Sequence, residues 1–474
     1  MRRVRHLHRH LHLYTRKHKH RKHRSKDLTI YKSDTLGQKI QKTWERFGPG
    51  IITGASDDDP SGITTYSQAG ASFGFQTLWL ALISFPLMAS IQEMCGRIGL
   101  VTGKGLTSVV KTYYPKWLIY VIGFVSVPAI ILNIAADLAG MGAVSNMIFP
   151  FIPAWVFTII SALAIIFSVI LFSYKRLENV LKWLSLVLLV YLIVPFLVKQ
   201  DWLLVFKSTV IPHFEFSKEF IVIIVAILGT TISPYLFFWE ASIEVEEHQE
   251  NSRLQLKNAK ESKVVNIESK QKEDSEYLEV TLPEIKTMRQ DNNLGMLISN
   301  VAMFFIILTA GSVLFPNGVN DINTVQDAAA ALKPIAGEFA YILFAVGVIG
   351  TGFLAVPVLA GACGYIISEM FDWKEGMNYK FKQARGFYEV IAFSILLGLG
   401  LNISGMDPVQ SLIWSAVVYG VTAPIMIGII LHIANREDIM GKWRNGRLSN
   451  TFGVIGLFLM IAAAATLIYT SLVG

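Results

Sequence analysis

Long apolar runs recur along nearly the whole chain after about residue 47. Runs such as 154–172 and 181–198 are long enough to cross about 30 Å of hydrocarbon as helices. The pattern predicts eleven membrane-spanning helices, two of which, the first and the sixth, are interrupted by polar residues and proline. The predicted spans are roughly 47–73, 76–97, 117–149, 153–173, 180–198, 219–242, 293–315, 335–370, 386–404, 408–433 and 450–471. We therefore expect an all-α integral membrane protein.

The composition supports this class, because 53% of the residues are hydrophobic and 16% are charged, against about 25% charged in soluble domains. Charge is concentrated in 1–46, which predicts a basic, histidine-rich cytoplasmic tail, and in 243–292, which predicts a cytoplasmic linker, partly helical or disordered. These segments divide the chain into helices 1–6 in 47–242 and helices 7–11 in 293–474. The tail either contacts anionic lipid or collects metal ions, and its interleaved Lys and Arg favour lipid.

The loops predict the orientation. Lys and Arg follow the even-numbered spans, whereas the segments 150–153 and 402–410 contain neither. By the positive-inside rule the N-terminus is cytoplasmic, and an odd number of spans places the C-terminus outside. We expect a multi-pass protein of the plasma membrane.

Span 1 contains three consecutive carboxylates, Asp57, Asp58 and Asp59, followed by Pro60 and Gly62. Each aspartate costs about 2.5–3.5 kcal/mol at the bilayer centre, so three together need water, protons or a cation. The proline breaks the helix and frees backbone carbonyls, and carboxylates beside carbonyls are typical of a hard-cation site. The alternative is a helix end in water, which the apolar continuation at 69–75 disfavours.

Span 6 is interrupted at Pro234, among hydroxyl residues. The proline frees the carbonyl of Thr230, and the hydroxyls of Thr230 and Ser233 add neutral oxygen ligands. Alone, this pattern is a common kink. Because span 1 is also broken, matching interruptions indicate a transporter binding site between helices 1 and 6.

Several motifs in order resemble the NRAMP family of divalent-metal transporters. They are Gly48-Pro49-Gly50, Asp59-Pro60 and Gln68–Ala71 in span 1, Ala136–Ala139 in span 3, and Gly229 through Pro234 in span 6. The resemblance implies a LeuT-like fold of two inverted five-helix repeats plus one helix. It also implies alternating access and a metal site between helices 1 and 6.

The chain departs from the pattern of the manganese and iron transporters of this family. Their methionine before the sixth-helix proline is Ser233 here, their two following histidines are Tyr235 and Glu240, and the glutamate after ADLA is Gly140. Such a pocket offers oxygen rather than sulfur or nitrogen, which suits Mg²⁺. The sequence resembles the NRAMP-related magnesium branch, and we expect import of Mg²⁺, Mn²⁺ or both, with proton coupling in doubt.

The resemblance and the residues together assign roles. Asp59 is the primary ligand, Asp58 and Asp57 act directly or through water, and Thr230 and Ser233 complete the site. Two further residues keep two interpretations each. Asp137 is a polar residue in a helix contact or part of the ion path, and Glu240 guides the ion toward the cytoplasm or is a surface charge at a helix end. We expect the aromatic residues 237–239 to be interfacial anchors.

Three rival functions remain: a proton-coupled Mn²⁺/Fe²⁺ importer, a sodium-coupled organic-solute carrier, and a metal-sensing or adhesion protein. The sequence has no nucleophile–base pair or phosphate-binding loop, so we expect neither an enzyme nor a resident cofactor. The expected partners are a divalent metal ion and the lipid bilayer, not nucleic acid. The sequence does not predict the oligomeric state.

Overall fold

The computed structural model describes residues 49–172, 189–261, 279–402, 405 and 407–473. Within these ranges every regular element is a helix. Eight helices among them are long and apolar enough to cross a membrane. The predicted tail 1–46, the beginning of predicted span 5 and the middle of the predicted linker lie outside the described residues.

Span 1 folds as two helices because Pro60 has no N–H to continue the first one. Asp59 caps the second helix, and proline occupies its first position, where no hydrogen bond is lost. The helices up to the second break are α1 (Pro49–Asp57), α2 (Pro60–Phe73), α3 (Trp79–Thr102), α4 (Leu106–Tyr113), α5 (Lys116–Ile148), α6 (Ala154–Leu171), α7 (Leu189–Leu197), α8 (Trp202–Val210) and α9 (Lys218–Thr231).

Span 6 breaks at Ile232 and Ser233, and the chain resumes at Pro234 as a new helix. The remaining helices are α10 (Pro234–Glu261), α11 (Leu282–Val313), α12 (Val325–Ala330), α13 (Lys333–Ala336), α14 (Ala340–Phe371), α15 (Arg385–Asn402), α16 (Pro408–Asn435), α17 (Glu437–Met440) and α18 (Arg447–Val473). Among the described residues, both predicted breaks are therefore places where a spanning segment splits into two helices.

The structure adds one detail to the sequence interpretation and corrects another. Helices α10 and α11 continue into 243–292 from both sides, and Glu244, His248 and Asn292 are buried there. The aromatic residues 237–239 are not interfacial anchors, since each is at most 1% exposed. They pack inside the bundle because α10 is surrounded by α3, α14 and α1, so no face of this turn reaches the surface.

The core of the bundle is the contact of α1 and α2 with α11. Backbones touch directly there: a Cβ on Gly54 would lie 2.2 Å from the Gly295 carbonyl oxygen, and one on Gly295 would lie 2.0 Å from the Gly50 carbonyl oxygen. The Gly50 N–H donates to Asp291 Oδ2 at 2.7 Å, which satisfies an N–H of the first turn of α1. The glycines thus allow the backbone of α1 to pack directly against the backbone of α11.

The outer helices α6 and α18 expose most of their apolar residues. Examples are Trp155 and Phe167 on α6, and Phe458 and Leu472 on α18. An aqueous protein rarely exposes such a surface, whereas a bilayer requires it. The chain is a multi-pass membrane protein.

Loops that follow different spans meet at one end of the bundle. The Arg97 guanidinium donates to the Trp443 carbonyl at 2.7 Å, and Lys111 Nζ lies 2.5 Å from Asp372 Oδ2. Lys442 pairs with Glu279 at 3.1 Å. The basic segments after spans 2, 8 and 10 and one end of the predicted linker therefore share one side of the protein.

Candidate metal site at the two broken helices

Asp59 lies at the break between α1 and α2 and is 2% exposed. Its Oδ1 accepts the Gly62 N–H at 2.6 Å, as expected of a helix cap. Its Oδ2 accepts a hydrogen bond from Asn133 Nδ2 on α5 at 2.8 Å. Both bonds fix the plane of the carboxylate, so its two oxygens are held in one orientation at the break.

Asp57 and Asp58 are equally buried, at 0% and 1% exposed. The Ser299 hydroxyl on α11 donates to Asp57 Oδ2 at 2.8 Å and lies 3.4 Å from Asp58 Oδ1. The other oxygen of Asp57 has no hydrogen-bond partner among the described residues. The aspartate run therefore does not end in water, and the alternative of a solvated helix end is wrong.

The break in span 6 lies against the break in span 1. A Cβ built on Gly62 would lie 3.3 Å from Thr230 Oγ1 and 3.3 Å from the Asp57 carbonyl oxygen. The Tyr235 hydroxyl, at the start of α10, donates to the Ser56 carbonyl at 2.8 Å. Oxygens of both breaks thus border the same small region, which the missing side chain of Gly62 leaves open.

Ser233 has a more specific contact than the sequence suggested. Its hydroxyl donates to the Thr230 carbonyl, the group that Pro234 deprives of its helical partner. This carbonyl is therefore already satisfied within the break. Ser233 keeps its oxygen lone pairs for a ligand, while its hydrogen is used by the backbone.

Asp137, on α5, is 0% exposed, and neither of its oxygens makes a well-formed hydrogen bond among the described residues. The Ser61 N–H and the Asp59 carboxylate both act on the Asp137 carboxylate. A polar residue that only joined two helices would be hydrogen-bonded. Asp137 instead adds a fourth carboxylate beside the aspartate run.

Glu240, on α10, is not a surface charge at a helix end, because it is 0% exposed. Its Oε2 accepts a hydrogen bond from the Thr53 hydroxyl of α1 at 2.6 Å. It lies about two turns beyond Pro234 along α10 and contacts α1 rather than the break itself. The structure thus places it next to the site, where the second half of span 6 packs against the first half of span 1.

Sequence reasoning missed three residues that support the aspartates: Asn133 and Ser299, described above, and Ser415 on α16. The Ser415 hydroxyl lies 2.8 Å from Asn133 Oδ1 and 3.2 Å from Ser61 Oγ. The available signal was weak, since each is an uncharged polar residue, and such residues occur at several other positions of the same helices. Asn133 had the strongest signal, because it precedes Asp137 by one turn on the same face.

The electrostatics of the site are one-sided. Across the described ranges, no Lys, Arg or His forms an ion pair with Asp57, Asp58, Asp59 or Asp137. Buried carboxylates without counter-charges are strongly unfavourable, so the arrangement suits a cation. No three Asp, Glu, His or Cys side chains of the described part converge on one metal position. An ion there would therefore need neutral oxygens as well.

Residues 50–470 match the sequence profile of the family described as natural resistance-associated macrophage protein-like. The chain belongs to this family. Curated relatives include the divalent metal cation transporter MntH of Vibrio campbellii, 26% identical over 91% of this chain and 93% of that protein. The MntH of Caldanaerobacter subterraneus is 25% identical over 93% of this chain and 96% of that protein.

Solved structures share the fold of this NRAMP-family chain. The Eremococcus coleocola manganese transporter aligns with a TM-score of 0.66 and 16% identity over 91% of this chain and 87% of its own. MhsT in complex with L-phenylalanine aligns with a TM-score of 0.52 and 12% identity over 89% and 97%. The predicted LeuT-like, all-helical fold class is confirmed.

Proposed function

We propose that this protein imports a divalent metal cation, Mg²⁺, Mn²⁺ or both, by alternating access, with the ion bound between the two broken helices. One observation carries the proposal. Three adjacent aspartates are buried at the break of span 1, against the hydroxyl of Thr230 at the break of span 6, and no basic side chain of the described residues neutralises them. A doubly charged ion would supply the missing charge.

The donor set favours a hard ion. Asp59 is the proposed primary ligand, Asp57 and Asp58 act directly or through water, and Thr230 and Ser233 add hydroxyl oxygens. Carboxylate, hydroxyl and water oxygens suit Mg²⁺ and Mn²⁺. Asp137 lies beside the pocket as a candidate part of the ion path. The membrane potential supplies about 4.6 kcal/mol for two charges at 100 mV, which is sufficient to drive uptake.

Uptake of Mn²⁺ and Mg²⁺ by the full-length protein in liposomes tests the site. We expect Asp59→Ala to lower Mn²⁺ uptake at least tenfold, while Asp438→Ala, which changes an exposed carboxylate paired with Arg436, leaves it unchanged. We expect Ser233→Met to shift the preference from Mg²⁺ toward Mn²⁺, because a thioether favours the softer ion. Normal transport by Asp59→Ala would show that the ion binds elsewhere.

A proton-coupled manganese importer is the second candidate. It is favoured by the names of the relatives, which are divalent metal cation transporters MntH, and by the likeness to a manganese transporter. A pH-sensitive dye inside the liposomes separates the two proposals. Acidification that accompanies Mn²⁺ entry would support the coupled importer, and its absence would support transport driven by the potential alone.

A sodium-coupled carrier of organic solutes shares the fold, as the likeness to MhsT illustrates. A carrier of amino acids or other anions needs a donor or a positive group for the substrate. The described site of this chain offers a cluster of carboxylates instead, which repels an anionic head group. We therefore rank this function last.

The proposed location is the plasma membrane, with the N-terminus inside and the C-terminus outside. The shared side of the basic loops supports it, since Arg97, Lys111 and Lys442 lie at one end of the bundle. A C-terminal epitope tag checks the orientation. Antibody should reach the tag on intact cells, and labelling only after permeabilisation would reverse the topology.

A further inference from the structure

Glu240 has a feature that the proposed function leaves unexplained. It is 0% exposed, and its Oε2 is bound by the Thr53 hydroxyl at 2.6 Å. Its Oε1 is buried and has no hydrogen-bond partner among the described residues. A buried carboxylate oxygen without a hydrogen-bond partner is unfavourable in the folded protein, which makes this oxygen a candidate ligand.

The space beside this oxygen is left by a glycine. A Cβ built on Gly96 of α3 would lie 3.3 Å from Glu240 Oε1 and 3.2 Å from Met288 Sδ of α11. The unpartnered oxygen therefore faces a gap between α3, α10 and α11 in which even one methyl group would make tight contacts. Any larger residue at position 96 would place its side chain next to the carboxylate.

A second carboxylate follows one turn later on the same face of α10. Glu244 is 6% exposed, and the negative charge of Glu240 acts on it more strongly than those of Glu247 and Asp291. No basic side chain of the described residues forms an ion pair with either Glu240 or Glu244. The run of buried carboxylates that begins at the Asp57–Asp59 break thus continues along α10.

We propose that Glu240 and Glu244 form a second binding station for the divalent cation, between the Asp57–Asp59 site and the cytoplasmic end of the bundle. The inference rests on the proposed function, because this station would receive the cation that the Asp57–Asp59 site releases. Two carboxylates with water suit a partly hydrated Mg²⁺ or Mn²⁺ that is bound weakly and leaves again.

The Thr53 contact links this station to the movement of α1. While α1 lies against α10, Thr53 occupies Glu240 Oε2, and only Oε1 is free. When α1 moves away, the hydrogen bond breaks and both oxygens of Glu240 become available. The station therefore gains a ligand oxygen at the moment when the ion must leave Asp59.

Mn²⁺ uptake by the full-length protein in liposomes tests the station by its kinetics. We expect Glu240→Gln, and the double variant Glu240→Gln/Glu244→Gln, to lower the maximal uptake rate about tenfold or more. The KM for external Mn²⁺ should change less than about twofold, because the outward-facing site is intact. Glu219→Gln, an exposed carboxylate on α9, is the matched control and should transport normally.

A steric pair of variants tests where the ion sits. Gly96→Ala places a methyl group in the gap beside Oε1 and should reproduce the slow, KM-neutral phenotype. Gly428→Ala, whose Cβ meets nothing within 4 Å, should be silent. If Gly96→Ala transports like the unmodified protein, the ion does not pass this gap and the proposal is wrong.

Mn²⁺ binding to the purified protein, counted by electron paramagnetic resonance, gives a direct readout. Glu240→Gln should bind one Mn²⁺ fewer than the unmodified protein while keeping the Asp59 site, and Asp59→Ala should show the converse. If Glu240→Gln binds as many Mn²⁺ ions as the unmodified protein, the second station does not exist, whatever the uptake rate of this variant. Glu240 would then be a gate residue only. Full transport by Asp59→Ala would instead refute the proposed function, so the two failures are distinguishable.

Discussion

Gly54→Ala addresses the contact that holds α1 against α11. The added Cβ would lie 2.2 Å from the Gly295 carbonyl oxygen, whereas an ordinary contact begins near 3.4 Å. Helix α1 must therefore move away by roughly 1 Å, because both partners at this point are backbone. The Gly50 N–H bond to Asp291, now 2.7 Å long, would then exceed the limit of a useful hydrogen bond.

The energetic consequence follows from the overpacking. Forcing one extra carbon into a packed contact costs about 1–3 kcal/mol, and only the state in which α1 is seated bears this cost. A bias of that size changes a two-state equilibrium about 5- to 150-fold. We expect Gly54→Ala to favour the state with α1 displaced and to slow the complete transport cycle.

Thiol labelling measures the displacement. Ser56→Cys places a probe at a position that is 0% exposed, in a background where the buried Cys95 and Cys363 are replaced by Ala. Gly54→Ala should raise the labelling rate of this probe about tenfold, and Gly400→Ala, whose Cβ meets nothing within 4 Å, should not. Equal labelling rates in both variants would mean that the contact between Gly54 and Gly295 does not limit the movement of α1 away from α11.

Two further predictions concern single side chains. Asn133→Ala removes the hydrogen bond to Asp59 Oδ2 and should raise the KM for Mn²⁺ uptake about tenfold, whereas Asn146→Ala, whose amide bonds the Ile152 carbonyl, should not change it. Burial, and then the negative charge of Glu369, raise the pKa of Glu375 to about 10 in the loop after α14. Its contribution to stability is complete below its ordinary pKa of 4.5 and is lost as the pH rises toward 10. Glu375→Gln should therefore raise the melting temperature more at pH 8 than at pH 5, and an equal gain at both values, or any gain for the exposed Glu215→Gln, would contradict this.

The sequence was most informative where a polar residue and a proline occur together in an apolar run. Asp59-Pro60 and Ser233-Pro234 mark the two breaks correctly, because each proline follows a polar residue that caps or bonds the freed backbone, whereas Pro86, Pro128 and Pro357 lie in apolar surroundings inside continuous helices. The partners of the aspartates could not be predicted, since Asn133 and Ser299 lie on helices that meet the break only after the chain has packed. A single amide or hydroxyl in an apolar helix does not indicate which neighbour it faces.

The residues after Pro234 show the opposite limitation. Their aromatic and acidic character is typical of a helix end at the membrane surface, which is the interpretation given for Trp239 and one of the two given for Glu240. Both are fully buried, because α10 packs against α1, α3 and α14. Local composition cannot distinguish a helix that leaves the bundle from one that continues inside it, and only tertiary packing decides this.

The hydrogen bond from the Tyr235 hydroxyl to the Ser56 carbonyl determines when water can enter the pathway. That carbonyl closes the end of α1, and the tyrosine is its partner for as long as the two half-helices remain together. If either half-helix moves away, the Ser56 carbonyl loses its hydrogen bond at the depth of the bilayer. A water molecule must then replace the tyrosine as donor, because an unpaired carbonyl there is unfavourable. The pathway therefore opens and fills with water in the same step, and an open conformation without water would not persist.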